Sequence, residues 1–473
     1  MTINGKQLYD YGMIGLGTMG RNLVYNMCDH GYAVAGFDKD LTKTGTLEQE
    51  KGSYKTFGAG NVKEFINVLK TPRVILLLVP AGPVVDAVID ELKPLMSEND
   101  LVIDCGNSHF TDTDRRIEQL AKHNMHFMGV GISGGESGAR YGPSIMPGGT
   151  KEAYERVAAM LMAVAAKINK EPCVAYMGQG SAGHYVKMVH NGIEYALMQL
   201  IAESYQLLKD LAGFNNDELK TVFSEWNDGP IQSYLIEITA SIFSQWDDMT
   251  DHYLIDMIKD TAHQKGTGMW MSQDAMGQQF PVPVIDAAVS ARALSAFKQE
   301  RKEASQILKG PVTKLAGDKA GFVKQLEQAL HFSMITAYAQ GFSLLRHASE
   351  AYKYRLNLRE VAQIWRGGCI IRAAILDGIN FAFHEDPGLS NLMVNSVMAE
   401  KLGASQEGIR QVVKAAAESG IPVPALMASL AYYDGYRMEG LPSNLIQAQR
   451  DFFGAHTYQR IDREGDFHTQ WKE

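Results

Sequence analysis

Cysteine is scarce in this sequence. Only Cys28, Cys105, Cys173 and Cys369 occur among 473 residues, far apart and without a C-x-x-C pair. That excludes a disulfide framework and a zinc ribbon; the four read as reduced, buried thiols of a cytosolic protein. Positive charge is not in excess either. Forty-five Lys and Arg against 54 Asp and Glu leave a net charge of −9, so nucleic acid is not expected as a partner, although a local basic site for an anionic ligand stays open. Long apolar runs are also absent. The longest, from Val74 to Val79, is too short to cross a bilayer but suits a strand buried on both faces, so no membrane partner is expected. The first residues lack a basic segment followed by an apolar one, so a secretory signal is not expected and a cytoplasmic protein is. No H-E-x-x-H and no clustered acids point to a metal. What remains is ordinary globular composition, 45% apolar, 21% charged and 9% aromatic, enough for two or three domains with full cores.

Short apolar runs alternate with helical stretches over the first 180 residues. Strands are expected at 8–14, 32–38, 73–79, 101–104, 126–130 and 173–176, with helices between them at 19–30, 84–96 and 151–167. This is the pattern of βαβ units and a parallel, doubly wound sheet. Beyond Gly183 the strand runs stop and long segments, such as 185–208 and 323–349, follow a helical period. The fold class is therefore α/β followed by all-α: a dinucleotide-binding domain over 1–180, a large helical domain over 181–439, and a tail over 440–473. The helical half also repeats itself weakly, from Val186 and again from Val323. Chance similarity and a tandem duplication both remain open. The positions of Lys187, Asn191 and Glu194 are taken by Lys324, Gln328 and His331 in the second copy. The tail carries Phe452, Phe453 and Tyr458, too aromatic to float freely, and a second subunit is a candidate surface for it.

Gly15-Leu16-Gly17-Thr18-Met19-Gly20 fits G-x-G-x-x-G. It follows a strand, opens a helix, and precedes a second strand ending in Asp38, about 20 residues on, as a dinucleotide site requires. The first glycine makes the turn, the second admits the pyrophosphate, and the third packs helix on strand, whose amides face the phosphates. Asp38 would accept hydrogen bonds from the ribose hydroxyls and repel a 2′-phosphate, which favours NAD; the neighbouring Lys39 keeps NADP possible. Val79, closing the 73–79 strand, belongs to the same cofactor set. Gly178-Gln-Gly180-Ser-Ala-Gly183 fits the same pattern but has no following strand, so it reads as the interdomain turn.

Lys187, Asn191, Glu194 and Tyr195 fall on one face of the next helix, while its other positions are apolar. A polar stripe on an otherwise buried helix is expected where a helix lines a cleft; a satisfied Lys–Glu core pair is the alternative. His190 lies among these residues and has a structural alternative too. Upstream, Ser133-Gly134-Gly135 follows a strand and suits anion binding by backbone amides; Asn107 closes another strand end towards the same crevice. Lys265 with Thr267, Arg292, and Arg450 with His456 are the remaining cationic spots, each a surface charge when taken singly.

Together these residues resemble 6-phosphogluconate dehydrogenases. The segments GLGTMGRNL, CGNSHF, GISGGESGARYGPSIMPGG, GHYVKMVHNGIEY, QKGTGMW, SARALS and LIQAQRDFFGAHTY occur in that family's order. The resemblance implies a homodimer whose tails enter the partner subunit, and oxidative decarboxylation of 6-phospho-D-gluconate to D-ribulose 5-phosphate and CO2 in the pentose phosphate pathway. It implies Lys187 as the base at the C3 hydroxyl and then the acid on the ketone oxygen, and Glu194 as the acid at C1. Ser133, Gly134 and Gly135 would hold the substrate carboxylate, with Asn107, His190 and Asn191 nearby. Tyr195, Lys265, Thr267 and Arg292 would grip the phosphate, joined by Arg450 and His456 of the other subunit.

The sequence also departs from the family. Asp38-Lys39-Asp40 stands where many members have Asn-Arg-Thr, Pro80 where many have Lys, and Gly17 where many have Ala. These changes bear on the cofactor, not on the reaction. A 3-hydroxyisobutyrate-type dehydrogenase and a catalytically silent nucleotide-binding regulator are the competing readings.

Overall fold

The computed structural model describes residues 2–3, 6–264, 266–311 and 313–471. A short hairpin of β1 (Thr2–Ile3) and β2 (Lys6–Gln7) precedes the main sheet. That sheet holds β3 (Tyr11–Ile14), β4 (Val34–Phe37), β5 (Thr56–Gly58), β6 (Val74–Leu77), β7 (Leu101–Asp104), β8 (His126–Ser133) and β9 (Ser144–Gly148), in the order β5-β4-β3-β6-β7-β8-β9. Pairing is parallel from β5 to β8, and β9 returns antiparallel along β8. The helices between are α1 (Thr18–Asp29), α2 (Leu41–Gln49), α3 (Val62–Asn67), α4 (Pro83–Leu92), α5 (Phe110–Ala121), α6 (Gly135–Tyr141) and α7 (Lys151–Val164). Val74 and Leu76 face one core and Ile75 and Leu77 the other. Burial on both faces explains why β6 reads as an unbroken apolar run. Strand order reverses between β3 and β6, which opens a crevice at their carboxyl ends.

The doubly wound sheet expected from sequence is present, with three differences. The sheet is mixed, because β9 runs antiparallel. Two strands lacked a sequence signal: β5 is three residues long, and β9 (SIMPG) contains proline and glycine. Proline is tolerated in β9 because it is an edge strand. Residues 173–176 do not form a ladder strand. Val174 makes only an isolated bridge to Ile145, and a small ribbon of β10 (Lys167–Ile168) and β11 (Glu171–Pro172) precedes it. Of the cysteines, Cys105, Cys173 and Cys369 are buried but Cys28 is only half-buried.

The second half is helical through α8 (Ala182–Gln206), α9 (Asn216–Asn227), α10 (Tyr234–Ile242), α11 (Leu254–Met257), α12 (Thr267–Gly277), α13 (Pro283–Ser295), α14 (Lys298–Ile307), α15 (Lys319–Ala351), α16 (Leu358–Trp365), α17 (Ile375–Glu385), α18 (Ser396–Ser419) and α19 (Pro424–Tyr436). The tail forms α20 (Ser443–Gly454) and a ribbon of β12 (Tyr458–Gln459) and β13 (Asp466–Phe467). Helices α12, α13 and α15 pack around α8, and α18 packs along α15. No helix among the described residues is long and apolar enough to cross a membrane.

Glycine joins the two halves. The first turns of α8 lie directly on β8 and β9. A Cβ at Gly183 would meet Met146 O at 2.3 Å and Gly129 O at 2.4 Å, and one at Gly131 would meet Lys187 Cβ at 2.5 Å. The Gly178–Gly183 segment is the turn into this helix, with Gly178 and Gly180 at positive φ. Its start is tied down by Asp114, which accepts from both Ser181 N and Ser181 Oγ.

Candidate active site

The cofactor side is built at the β3 turn. Gly15 has φ +96°, and a Cβ there would come within 2.4 Å of Leu78 O; a Cβ on Gly20 would lie 1.9 Å from Gly15 O. Both glycines are demanded by backbone contact. Gly17 differs: a Cβ there would meet nothing within 4 Å. It caps α1 without a side-chain partner, leaving free amides at a helix N-terminus, which suits a pyrophosphate. Leu16 turns its side chain into the core and offers only backbone. Thr18 is exposed and Met19 half-buried at the start of α1. Asp38 follows β4. Its carboxylate accepts Leu16 N at 2.8 Å and Asp40 N at 2.9 Å, so it braces the glycine turn. Lys43 Nζ stands 3.7 Å from Asp38, and Lys39 Nζ 3.7 Å from Glu91. Gly15, Gly17, Asp38, Lys39, Lys43 and Val79 line one cleft of about 680 Å³. Open space at Gly17, uncapped amides and an acid at the next strand end together fit a nicotinamide dinucleotide.

The substrate side centres on Lys187, which is 5% exposed. Its Nζ donates to Asn191 Oδ1 at 2.6 Å and lies 3.1 Å from His190 Nδ1. His190 Nε2 lies 3.1 Å from Ser133 Oγ, so the imidazole bridges the lysine and the end of β8. Glu194 Oε2 is 3.7 Å from His190 Nδ1. Burial pushes the Lys187 amine below its usual value, with the Glu194 carboxylate pulling the other way. It pushes Glu194 up, against the pull of Lys187 and Arg292. Burial, then the Lys187 charge, holds His190 well below its ordinary value, so it stays neutral. An amine pushed down and a carboxyl pushed up bring the two groups' proton affinities towards each other, as a base-and-acid pair needs.

Around this pair the strand ends close in. Gly134 and Gly135 have φ +122° and +63°, and a Cβ on Gly134 would strike Gly368 O at 2.5 Å. Asn107, itself at φ +55°, accepts Ile132 N at 3.1 Å and donates to Ile132 O at 3.3 Å, which sets it beside Ser133. On the opposite side the Arg292 guanidinium lies 3.5 Å from the centre of the Tyr195 ring. Gly268 packs on the same ring, and Thr267 precedes it at the head of α12. Lys265 lies outside the described residues. Arg450 and His456 are exposed on the tail. Within the chain Arg450 donates to Gln447 and His456 stands edge-on to Phe453, so neither is bonded to the cleft here.

Three contributors gave no sequence signal. Arg116 is fully buried and holds Asp86 at 2.8 Å, Asp104 at 3.5 Å and Ser108 Oγ at 3.1 Å; Asp104 in turn accepts Gly106 N and Ser108 Oγ, which shapes the turn carrying Asn107. Trp365 packs edge-on against His190 at 5.7 Å. Ile370 N approaches Ser133 Oγ at 3.5 Å. The Cys369 thiol beside Lys187 is pushed up to about 12 by burial, so it is no nucleophile.

A Rossmann-type sheet with a glycine turn, packed against a helix whose buried lysine is tied through His190 to the end of β8 and stands near a carboxyl, defines a nicotinamide-dependent dehydrogenase. The comparisons sharpen this. Residues 10–178 match the NAD binding domain of 6-phosphogluconate dehydrogenase, and residues 183–471 match the 6-phosphogluconate dehydrogenase C-terminal domain. The chain is 50% identical over 461 residues to the decarboxylating 6-phosphogluconate dehydrogenase of Escherichia coli K12, covering 97% of this chain and 98% of that one. It is 49% identical, with the same coverage, to the NADP(+)-dependent decarboxylating enzyme of Bacillus subtilis 168. The solved 6-phosphogluconate dehydrogenase of Plasmodium falciparum, studied in its apo form and with NADP+ or 6-phosphogluconate, superposes with a TM-score of 0.94 at 42% identity, over 98% of this chain and 100% of that one. The chain belongs to the 6-phosphogluconate dehydrogenase family. It is an oxidoreductase that uses a nicotinamide cofactor, and the regulator and hydroxyisobutyrate-type readings are set aside.

Proposed function

We propose that the crevice carries out the reaction of its family, oxidative decarboxylation of 6-phospho-D-gluconate to D-ribulose 5-phosphate and CO2, as a step of the pentose phosphate pathway, with the residues above in the following roles. The observation that carries the assignment is the buried Lys187 amine, bonded to Asn191 and His190 and one imidazole away from Ser133. Burial lowers its pKa and so favours the neutral amine that takes the proton from the C3 hydroxyl, a task for which an ordinary lysine is a poor base. The nicotinamide, when bound at the glycine turn, supplies the hydride acceptor. Lys187, now protonated, returns its proton to the C3 ketone oxygen as the C1 carboxylate leaves as CO2. A β-keto acid with a protonated carbonyl loses CO2 readily, so the residues need no metal for this step. Glu194, whose pKa is raised by burial, then gives its proton to C1 of the enediol while Lys187, neutral again, takes the enol hydroxyl proton and leaves the ketone of D-ribulose 5-phosphate.

Ser133, Gly134 and Gly135 hold the substrate carboxylate with their amides and hydroxyl, with Asn107, His190 and Asn191 completing the polar wall. Arg292, fixed over Tyr195, grips the phosphate with Thr267 and Lys265; a guanidinium suits this through paired hydrogen bonds. Arg450 and His456 come from the tail of a second subunit in a homodimer that exchanges tails. Supporting this, α20 exposes Leu445, Ile446 and Phe453 at 62%, 57% and 73%, an apolar face that a partner would cover.

Cofactor choice turns on Asp38. Its carboxylate favours NAD, while Lys39 and Lys43 admit NADP; the B. subtilis relative is named for NADP. Four scattered cysteines without a pairing pattern support a cytoplasmic enzyme. Initial rates with 6-phosphogluconate and gluconate, each with NAD and NADP, test the reading. Phosphate-dependent turnover that Lys187→Ala removes while cofactor binding stays near normal is expected. Equal rates on the two acids would remove the phosphate assignment, and retained activity in Lys187→Ala would remove the base.

A further inference from the structure

We propose that Asp451 is a positioning residue that presets Arg450 and His456 for the substrate phosphate; this rests on the reading above that the tail supplies those two cations. Asp451 is the one buried residue of α20, an acid hidden on an otherwise exposed helix. All its partners belong to the tail itself. Oδ1 accepts Thr457 N at 3.0 Å and meets His468 Nδ1 at 2.9 Å; Oδ2 accepts Thr469 N at 3.0 Å and the Trp471 indole N–H at 2.8 Å. One turn earlier, Gln447 Nε2 donates to the Thr457 carbonyl at 2.6 Å. Gln447 and Asp451 stand i, i+4 on one helix face, so Thr457 is gripped by both of its backbone groups.

The gripped loop is one the backbone would not choose. Ala455 and Thr457 have φ +48° and +61°, values that a β-branched threonine rarely adopts. Such a conformation persists where its surroundings over-determine it, and here the Asp451 and Gln447 contacts do so. The residue between them is His456. Arg450 Nη1 is bonded at 3.1 Å to Gln447 Oε1, so both cations are referred to the same two side chains. A tail without this brace would lose conformational freedom at the moment of phosphate binding, and affinity with it.

Asparagine has the size of aspartate, but its amide nitrogen would face the Thr469 and Trp471 N–H donors and leave them unpaired. The test uses full-length Asp451→Asn, Gln447→Ala and the Arg450→Ala/His456→Ala double variant, with and without Asp451→Asn. Steady-state kinetics and sedimentation are run on each. Asp451→Asn should raise KM for 6-phosphogluconate about tenfold, the size of a lost charged hydrogen bond, with kcat and KM for the cofactor near wild type. Added to the double variant it should change nothing further, because it acts through the residues already removed. A wild-type KM in Asp451→Asn, or a full additional loss on the double-variant background, overturns the proposal. If Asp451→Asn prevents assembly, Gln447→Ala decides: a raised KM supports the brace and a wild-type KM overturns it. A silent Arg450→Ala/His456→Ala double variant would instead refute the phosphate reading itself.

Discussion

Gly131→Ala tests whether Lys187 is held by the sheet. Gly131 lies in β8, and its backbone has no positive φ, so alanine is acceptable there on conformational grounds. Contact is the obstacle. The new Cβ would stand 2.5 Å from Lys187 Cβ and 3.0 Å from Gly183 O, where carbon atoms settle at about 3.5–4.0 Å. Helix α8 or the lysine must therefore retreat by about 1 Å. The helix cannot yield freely, because Gly183 is itself pressed on Met146 O and Gly129 O. Overpacking of this kind costs about 1–3 kcal/mol, a few degrees of Tm for a domain of this size. Misplacing a catalytic group by about 1 Å costs on the order of 100-fold in rate. The expected outcome is a folded protein with near-normal cofactor affinity and kcat lowered about 100-fold. Stopped-flow turnover, cofactor titration and thermal melts read the three quantities separately. Gly403→Ala, on the exposed side of α18, is the control, since its Cβ meets nothing and neither Tm nor kcat should fall. Wild-type kcat in Gly131→Ala would show that the sheet does not place the amine.

Further expectations follow from the same geometry. The kcat profile should be bell-shaped with both limbs displaced: the Lys187 ionisation below the usual lysine range and the Glu194 ionisation above the usual carboxylate range. Glu194→Gln should remove one limb of the profile, and an unchanged profile would free Glu194 of the role. Asp38→Asn keeps an acceptor for the Leu16 N–H but removes the charge. The NAD/NADP ratio of kcat/KM should narrow by about tenfold, and a constant ratio would refute the ribose assignment. Deletion from Gly440 onward should abolish turnover of 6-phosphogluconate while leaving cofactor binding intact; a fully active truncated monomer would contradict the shared site.

Local signals were sufficient where chemistry and backbone demand coincide. The glycines at 15 and 20, the acid at 38 and the stripe Lys187–Asn191–Glu194 each announce themselves through spacing, because one turn or one helix face sets their geometry. The strands buried on both faces were legible for the same reason, as unbroken apolar runs. Edges were not legible: β5 is three residues long and β9 pairs by backbone through a proline and two residues of no strand preference. The sequence showed Asp38 at the end of the second strand, but not that its carboxylate also accepts the Leu16 and Asp40 amides and so braces the glycine turn.

By itself the sequence determined which residues carry charge and hydrogen-bonding power, and with what period. Only the tertiary structure decided that Ile370 reaches Ser133, that Trp365 walls His190, that Arg116 shapes the turn of Asn107, and that Asp451 gathers the last residues of the tail. Those contacts join segments that the helical and strand periods leave unconnected. The lowered amine and the raised carboxyl belong to the same level, because they come from burial, and burial is a property of the packed chain.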